Sequence, residues 1–111
     1  MTRVRAWVTL VGLAVALSAG AAGAADMEKA KKIVTEVCQA CHGMDGNSQL
    51  PENPKLAGQN PDYLAKALRD YKSGARKNAV MGAMAATVKA EDIDSLAAYF
   101  GSQPAVLTAR H

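Results

Sequence analysis

An all-α domain with three main helices is predicted by three observations. Apolar residues recur at helical spacing in three separate stretches, and no strand-like alternation precedes Cys38. The long stretch between the first two helices, Gly43 to Gln59, is rich in Gly, Asn, Pro and Ser, the composition of a loop and not of a regular element.

The chain opens on a segment to be set aside. Arg3 and Arg5 form a charged start, Ala6 to Leu17 is apolar, and Ser18 to Ala25 consists of small residues throughout. That order is a secretory signal peptide, and cleavage fits after Ala25, with Gly23 three positions from the cut, or after Ala24, with Ala22 there. The same twenty residues are long enough for a membrane anchor, but their second half is Ala, Gly and Ser, which suits a peptidase better than lipid. The expected division is therefore 1–25 signal peptide and 26–111 a single domain, with no stable membrane insertion after cleavage. Arg3 and Arg5 leave with the signal and no acid does, so 13 basic against 10 acidic residues becomes 11 against 10, a net charge of +1. The basic residues are scattered among acids without a dominant stripe, which excludes nucleic acid as a partner.

The first helix runs from Met27 to about Gln39: Ala30, Ile33, Val34 and Val37 share a face, and Asp26 and Glu28 sit at the start, where the helix dipole favours acids. The second is announced by Asn60-Pro61-Asp62, a cap, a proline at the first helical position and an acid behind it. It carries Leu64, Ala67, Leu68 and Tyr71 on one face and stops at Ser73-Gly74. The third runs from roughly Ala90 to Ser102, with Ile93, Leu96, Ala97 and Phe100 as its stripe and Gly101 and Pro104 at its end. Asn78 to Met84, flanked by small residues, reads as an extended loop between the second and third helices. Tyr63, Tyr71 and Tyr99 read as amphipathic packing, and Arg76 and Lys77 as a solvated loop.

About 86 residues remain after cleavage, few for a core of their own. A loop as long as 43–59 in so small a domain calls for something to enclose. The run Cys38-Gln39-Ala40-Cys41-His42 supplies it, because C-x-x-C-H is the spacing of covalent haem attachment. Two thiols three positions apart add to the two vinyl groups of one porphyrin, and the adjacent imidazole coordinates its iron. Both cysteines of the chain lie in this run and it occurs once, so one haem per chain is expected. A thioredoxin-like dithiol belongs after a strand, a zinc site needs about four ligands and finds only His111 in addition, and a disulfide across so short a loop stabilises little. Two propionates would bring the net charge to about −1.

His42 fills one axial position. A methionine in the other raises the reduction potential and closes the iron; an open position would instead suit a ligand-binding or peroxidase-like protein. Met44 is too near His42 to reach the other face, which leaves Met81 and Met84, although core packing is the commoner work of a methionine.

Several ordered motifs, CQACHGMDGNS at 38–48, PKLAGQ at 54–59, PDYL at 61–64, YKSGARKN at 71–78 and DIDSLAAYF at 92–100, extend this picture. Between Met27 and Gln103 the sequence resembles the class I c-type cytochromes, and particularly the small bacterial periplasmic ones, including diheme members whose two halves each look like this chain. The resemblance implies a cytochrome c fold around one haem c, thioether bonds at Cys38 and Cys41, and His42 as proximal ligand. It makes the carbonyl of Pro54, twelve residues after His42, the acceptor of the imidazole N–H, and Leu56 an apolar residue on the proximal haem face. Met81, rather than Met84, falls at the position of the axial methionine. It further implies a periplasmic one-electron carrier, not an enzyme, that meets redox partner proteins as a monomer or weak dimer. The alternative is the haem subunit of a larger periplasmic oxidoreductase, since one fold serves both roles.

Mass spectrometry of the exported protein is expected to find a chain beginning at Asp26; a mass that retains Met1 would contradict cleavage.

Overall fold

The computed structural model describes residues 9, 11, 12 and 25–106. The expected signal peptide, 1–25, lies almost wholly outside the described residues, and no helix among those described is long and apolar enough to cross a membrane. The described chain is helical with connecting turns, and contains no strand.

Helix α1 spans Met27–Ile33 and starts where the Asp26 carboxylate accepts the Lys29 N–H at 3.0 Å. It continues without a break through a π-helical turn, Val34–Cys38, into α2, Gln39–His42. The sequence stops this rod at about Gln39; the structure carries it to His42, where Gly43 ends it at φ +79°. In the π turn the Gln39 N–H reaches back to Val34 O. The wider turn offsets the drift that a 3.6-residue repeat accumulates over four-residue steps. Ala30 and Val34 thus face the core, and the same side continues into Cys38 and His42.

Helix α3, Pro61–Ser73, begins and ends where its punctuation dictates. Asn60 Oδ1 accepts the N–H groups of Asp62 and Tyr63 at 2.8 and 3.3 Å, and Gly74 adopts the left-handed conformation at the other end. Helix α5, Ile93–Gly101, follows a 3₁₀ turn, Ala90–Asp92. It packs against both α1 and α3, and Ile93, Leu96, Ala97 and Phe100 join Ala30, Val34, Leu64, Ala65 and Val88 in one buried cluster. Two polar contacts fasten the α1–α5 crossing: the Asp26 N–H donates to Ser95 Oγ at 3.0 Å, and Lys29 Nζ lies 2.8 Å from the carboxylate of Asp92, which is buried.

The segment read as an extended loop is a helix. In α4, Ala79–Ala86, Asn78 Oδ1 accepts the N–H groups of Val80 and Met81, both at 3.0 Å. The stretch AVMGAMAA has no polar side chain, so it carries no amphipathic period to reveal it, while its alanines and methionines favour helix intrinsically. α4 packs on α3.

Loop 43–59 is pinned at Gly46, whose carbonyl accepts the N–H groups of Leu56 and Ala57 at 2.8 and 3.3 Å. Gly46 has φ +77°, and a Cβ there would fall 2.8 Å from both Ala57 N and Phe100 Cδ1. Replacing it with alanine is expected to cost about 1–3 kcal/mol for the left-handed backbone and about 1–3 kcal/mol for overpacking. Thermal unfolding of the Gly46→Ala protein checks this, each kcal/mol lowering Tm by roughly 4–8 °C in a domain of this size.

Candidate functional site

The helices and loop 43–59 enclose a cleft of about 420 Å³, a size typical of small-molecule and cofactor sites. Cys38, Cys41 and His42 line it from the end of the α1–α2 rod, Pro54 and Leu56 from the loop, and Met81 and Met84 from α4. The six residues singled out in sequence as cofactor-binding therefore meet at one cavity, although they come from three separated segments. Leu64, Leu68 and Phe100 supply apolar wall.

His42 is the most constrained member. It is 6 % exposed, and its Nδ1 lies 2.8 Å from Pro54 O. A carbonyl oxygen only accepts, so Nδ1 carries a proton and donates it, and in the neutral ring the lone pair is on Nε2. This is the tautomer and orientation of an imidazole prepared to bind a metal, with its second nitrogen held by a carbonyl that also raises its basicity.

Cys38 and Cys41 are not joined in a disulfide, and the first is half-buried and the second exposed. Burial pushes the Cys38 thiol up to about 11, the reverse of the depressed pKa that makes a C-x-x-C pair a redox dithiol. Among the described residues no three His, Cys, Asp or Glu side chains converge where a metal ion would sit, so no donor set for structural zinc is assembled there. Two thiols, one imidazole nitrogen and two thioethers around an apolar cleft instead fit a metal-centred macrocycle bonded to the chain at its edge.

Met44 lies elsewhere: its sulfur is 3.6 Å from the Thr35 hydroxyl, and its carbonyl accepts the Tyr99 O–H at 2.8 Å. Tyr99 is thus a packing residue, in edge contact with Phe100 at 5.3 Å between ring centroids. Tyr63 and Tyr71 line the cleft together with Arg76. The Arg76 guanidinium sits 4.8 Å over the Tyr71 ring and donates to Tyr63 Oη at 3.5 Å, and these contacts push its pKa above the ordinary value, the Tyr63 hydrogen bond first. Sequence periodicity reads the two tyrosines as packing because it locates a helix face without saying what that face meets.

Asn47 was not legible at all. It is buried and does not line the cleft, yet its carboxamide bonds Asp45 within loop 43–59 and ties that loop to Pro104 and Val106. Only its place after Asp45-Gly46, a turn pair, hints at a structural duty.

Comparison with known proteins gives the same picture. Residues 25–100 match the family model described as cytochrome C oxidase, cbb3-type, subunit III. The chain is 44 % identical over 94 residues to cytochrome c4 of Pseudomonas aeruginosa, covering 85 % of this chain and 43 % of that protein. It is 40 % identical over 75 residues to the cytochrome subunit of sulfide dehydrogenase of Chlorobaculum tepidum, covering 68 % of this chain and 67 % of that one. The crystal structure of reduced recombinant cytochrome c4 from Pseudomonas stutzeri superposes with a TM-score of 0.68 at 40 % identity, over 75 % of this chain and 48 % of the other. The chain spans about half the length of the cytochrome c4 relatives it matches.

Asp45 accepts both the Asn47 N–H at 2.9 Å and the Asn47 side-chain amide at 3.0 Å, and these bonds, the side-chain one first, hold its pKa below the ordinary 3.8. A depressed carboxylate stabilises the fold above 3.8, and the contribution is lost as pH falls through the lowered value. The Asp45→Asn protein is expected to melt below the natural one at pH 6, with the gap closing under acid. Thermal melts of both proteins over that pH range measure it.

Proposed function

Because this chain belongs to the cytochrome c family, we propose that it is a one-electron carrier of the periplasm in which Cys38 and Cys41 hold a single haem c covalently and His42 and Met81 are the axial ligands. The observation that carries this is the 2.8 Å bond from His42 Nδ1 to Pro54 O inside the cleft that both thiols line. Haem c, when bound, supplies reversible one-electron chemistry between ferric and ferrous iron.

The chain's own residues do the rest. Pro54 fixes the His42 ring and its tautomer, so the Nε2 lone pair stays directed at one point through both redox states. Leu56, Leu64, Leu68 and Phe100 give the cleft apolar wall, which limits the reorganisation that accompanies a change of charge. Met81 contributes a thioether, a soft donor that favours the reduced state. It is held by α4, whose Asn78 cap bonds the Met81 N–H itself. Arg76, charged and braced by Tyr63 and Tyr71, faces the same cleft. No substrate bond is made or broken in this scheme, and electrons pass to and from redox partner proteins met by a monomer or weak dimer.

A second reading has a specific observation behind it: a relative matched over 67 % of its length is the cytochrome subunit of a sulfide dehydrogenase. On that reading the chain is the haem subunit of a larger oxidoreductase whose partner carries the substrate chemistry. A stable stoichiometric complex with a catalytic subunit on gentle purification favours this reading; isolation of the lone chain favours the free carrier.

The Met81→Leu protein is expected to lose the near-infrared methionine-to-ferric-haem band completely, and the Met84→Leu protein to keep it. The opposite pattern would move the ligand to Met84.

A further inference from the structure

Loop 43–59 makes an excursion that leaves at Asn47 and returns at Lys55, and Pro54, whose carbonyl holds His42, is the last residue before the return. The base of the excursion is closed by a distant part of the chain. Asn47 Oδ1 accepts the Val106 N–H at 2.8 Å, its Nδ2 donates to Pro104 O at 2.9 Å and to Asp45 Oδ2 at 3.0 Å, and Lys55 Nζ donates to Val106 O at 3.1 Å. Residue 106 is therefore gripped at its N–H from one end of the excursion and at its C=O from the other.

Hydrophobic burial does not explain the grip, since Val106 is 54 % exposed. Asn47, by contrast, is 7 % exposed, and its carboxamide contacts main-chain groups two residues apart, a bidentate grip indifferent to side-chain identity. On the inner side, Gly46 O accepts the Leu56 and Ala57 N–H groups. Pro54 is thus framed by two hydrogen-bonded crossings, Gly46 to Leu56 and Asn47 through Val106 to Lys55.

We propose that Asn47 is a positioning residue for His42: by clasping residues 104–106 across the loop it fixes the Pro54 carbonyl and so the orientation and basicity of the imidazole. The proposal rests on His42 being the iron ligand. Breaking the clasp lets Pro54 drift, weakens the bond to Nδ1–H and makes the imidazole a poorer donor. The ferric state, which depends more on that donation, is then less favoured.

Val106→Pro removes the N–H that Asn47 accepts and fixes the backbone φ at 106, and Val106→Ala keeps the N–H. In the haem-loaded Val106→Pro protein, NMR is expected to show the His42 Nδ1 proton exchanging with solvent about 5–30-fold faster, the effect of one or two kcal/mol. The reduction potential is expected to rise. Val106→Ala should match the natural protein in both, and adding Asn47→Ala to Val106→Pro, which also removes the bond to Pro104 O, should move both further in the same direction. Unchanged exchange and potential in Val106→Pro, or equal changes in Val106→Ala, would overturn the proposal; if Asn47→Ala alone fails to fold, the two Val106 variants decide it. The underlying ligand assignment fails separately and visibly, if the Nδ1 proton of the natural protein shows no haem-induced shift.

Discussion

The hydrogen bond from His42 to the Pro54 carbonyl is the constraint to which the rest of this structure answers. It joins the end of the first helical rod to the returning end of a loop, and it decides which imidazole nitrogen keeps a lone pair. The elements on either side serve that junction. The π turn at Val34–Cys38 keeps the rod's core face in line with Cys38 and His42, and Gly46, where no Cβ fits, lets the loop pass close over Phe100 to reach Leu56.

A chain this short has little apolar material to bury, and its packing shows the economy. The largest side chains that are fully buried are Ile93, Leu96 and Val34, all at or near the α1–α5 crossing. Away from that crossing, Leu68, Leu56 and Tyr99 are only partly covered by protein, and the interior opens into the cleft. A covalent macrocycle completes such a core and is held by it, so stability and redox chemistry share one set of contacts. The same economy accounts for the clasp at Asn47: where side chains cannot be buried, main-chain hydrogen bonds from buried polar groups do the fastening.

Much of this was legible in the residues, for identifiable reasons. Cys38, Cys41 and His42 declare themselves because covalent and axial bonding demand fixed spacing, and α3 because Asn60-Pro61 and Gly74 are conformational punctuation at its two ends. The helix holding Met81 and Met84 was not, because hydrophobic periodicity needs a polar face and α4 has none; the Asn78 cap was the one local sign of it. The continuation of the first rod to His42 was obscured because a π turn breaks the 3.6-residue count. Pro54 came from resemblance to a family, not from any local pattern, since a carbonyl acceptor leaves no mark on residue type. The Asn47 contacts link residues 57 and 59 positions apart, a separation no local pattern spans.

A closed iron site held from both sides by this chain's own His42 and Met81 is the central claim, and carbon monoxide tests it most directly. Added to the reduced, haem-loaded protein at neutral pH and followed in the Soret band, it should leave the spectrum unchanged, because neither axial position is open. Ready binding with a shifted Soret band would show an open or labile sixth position and contradict the account.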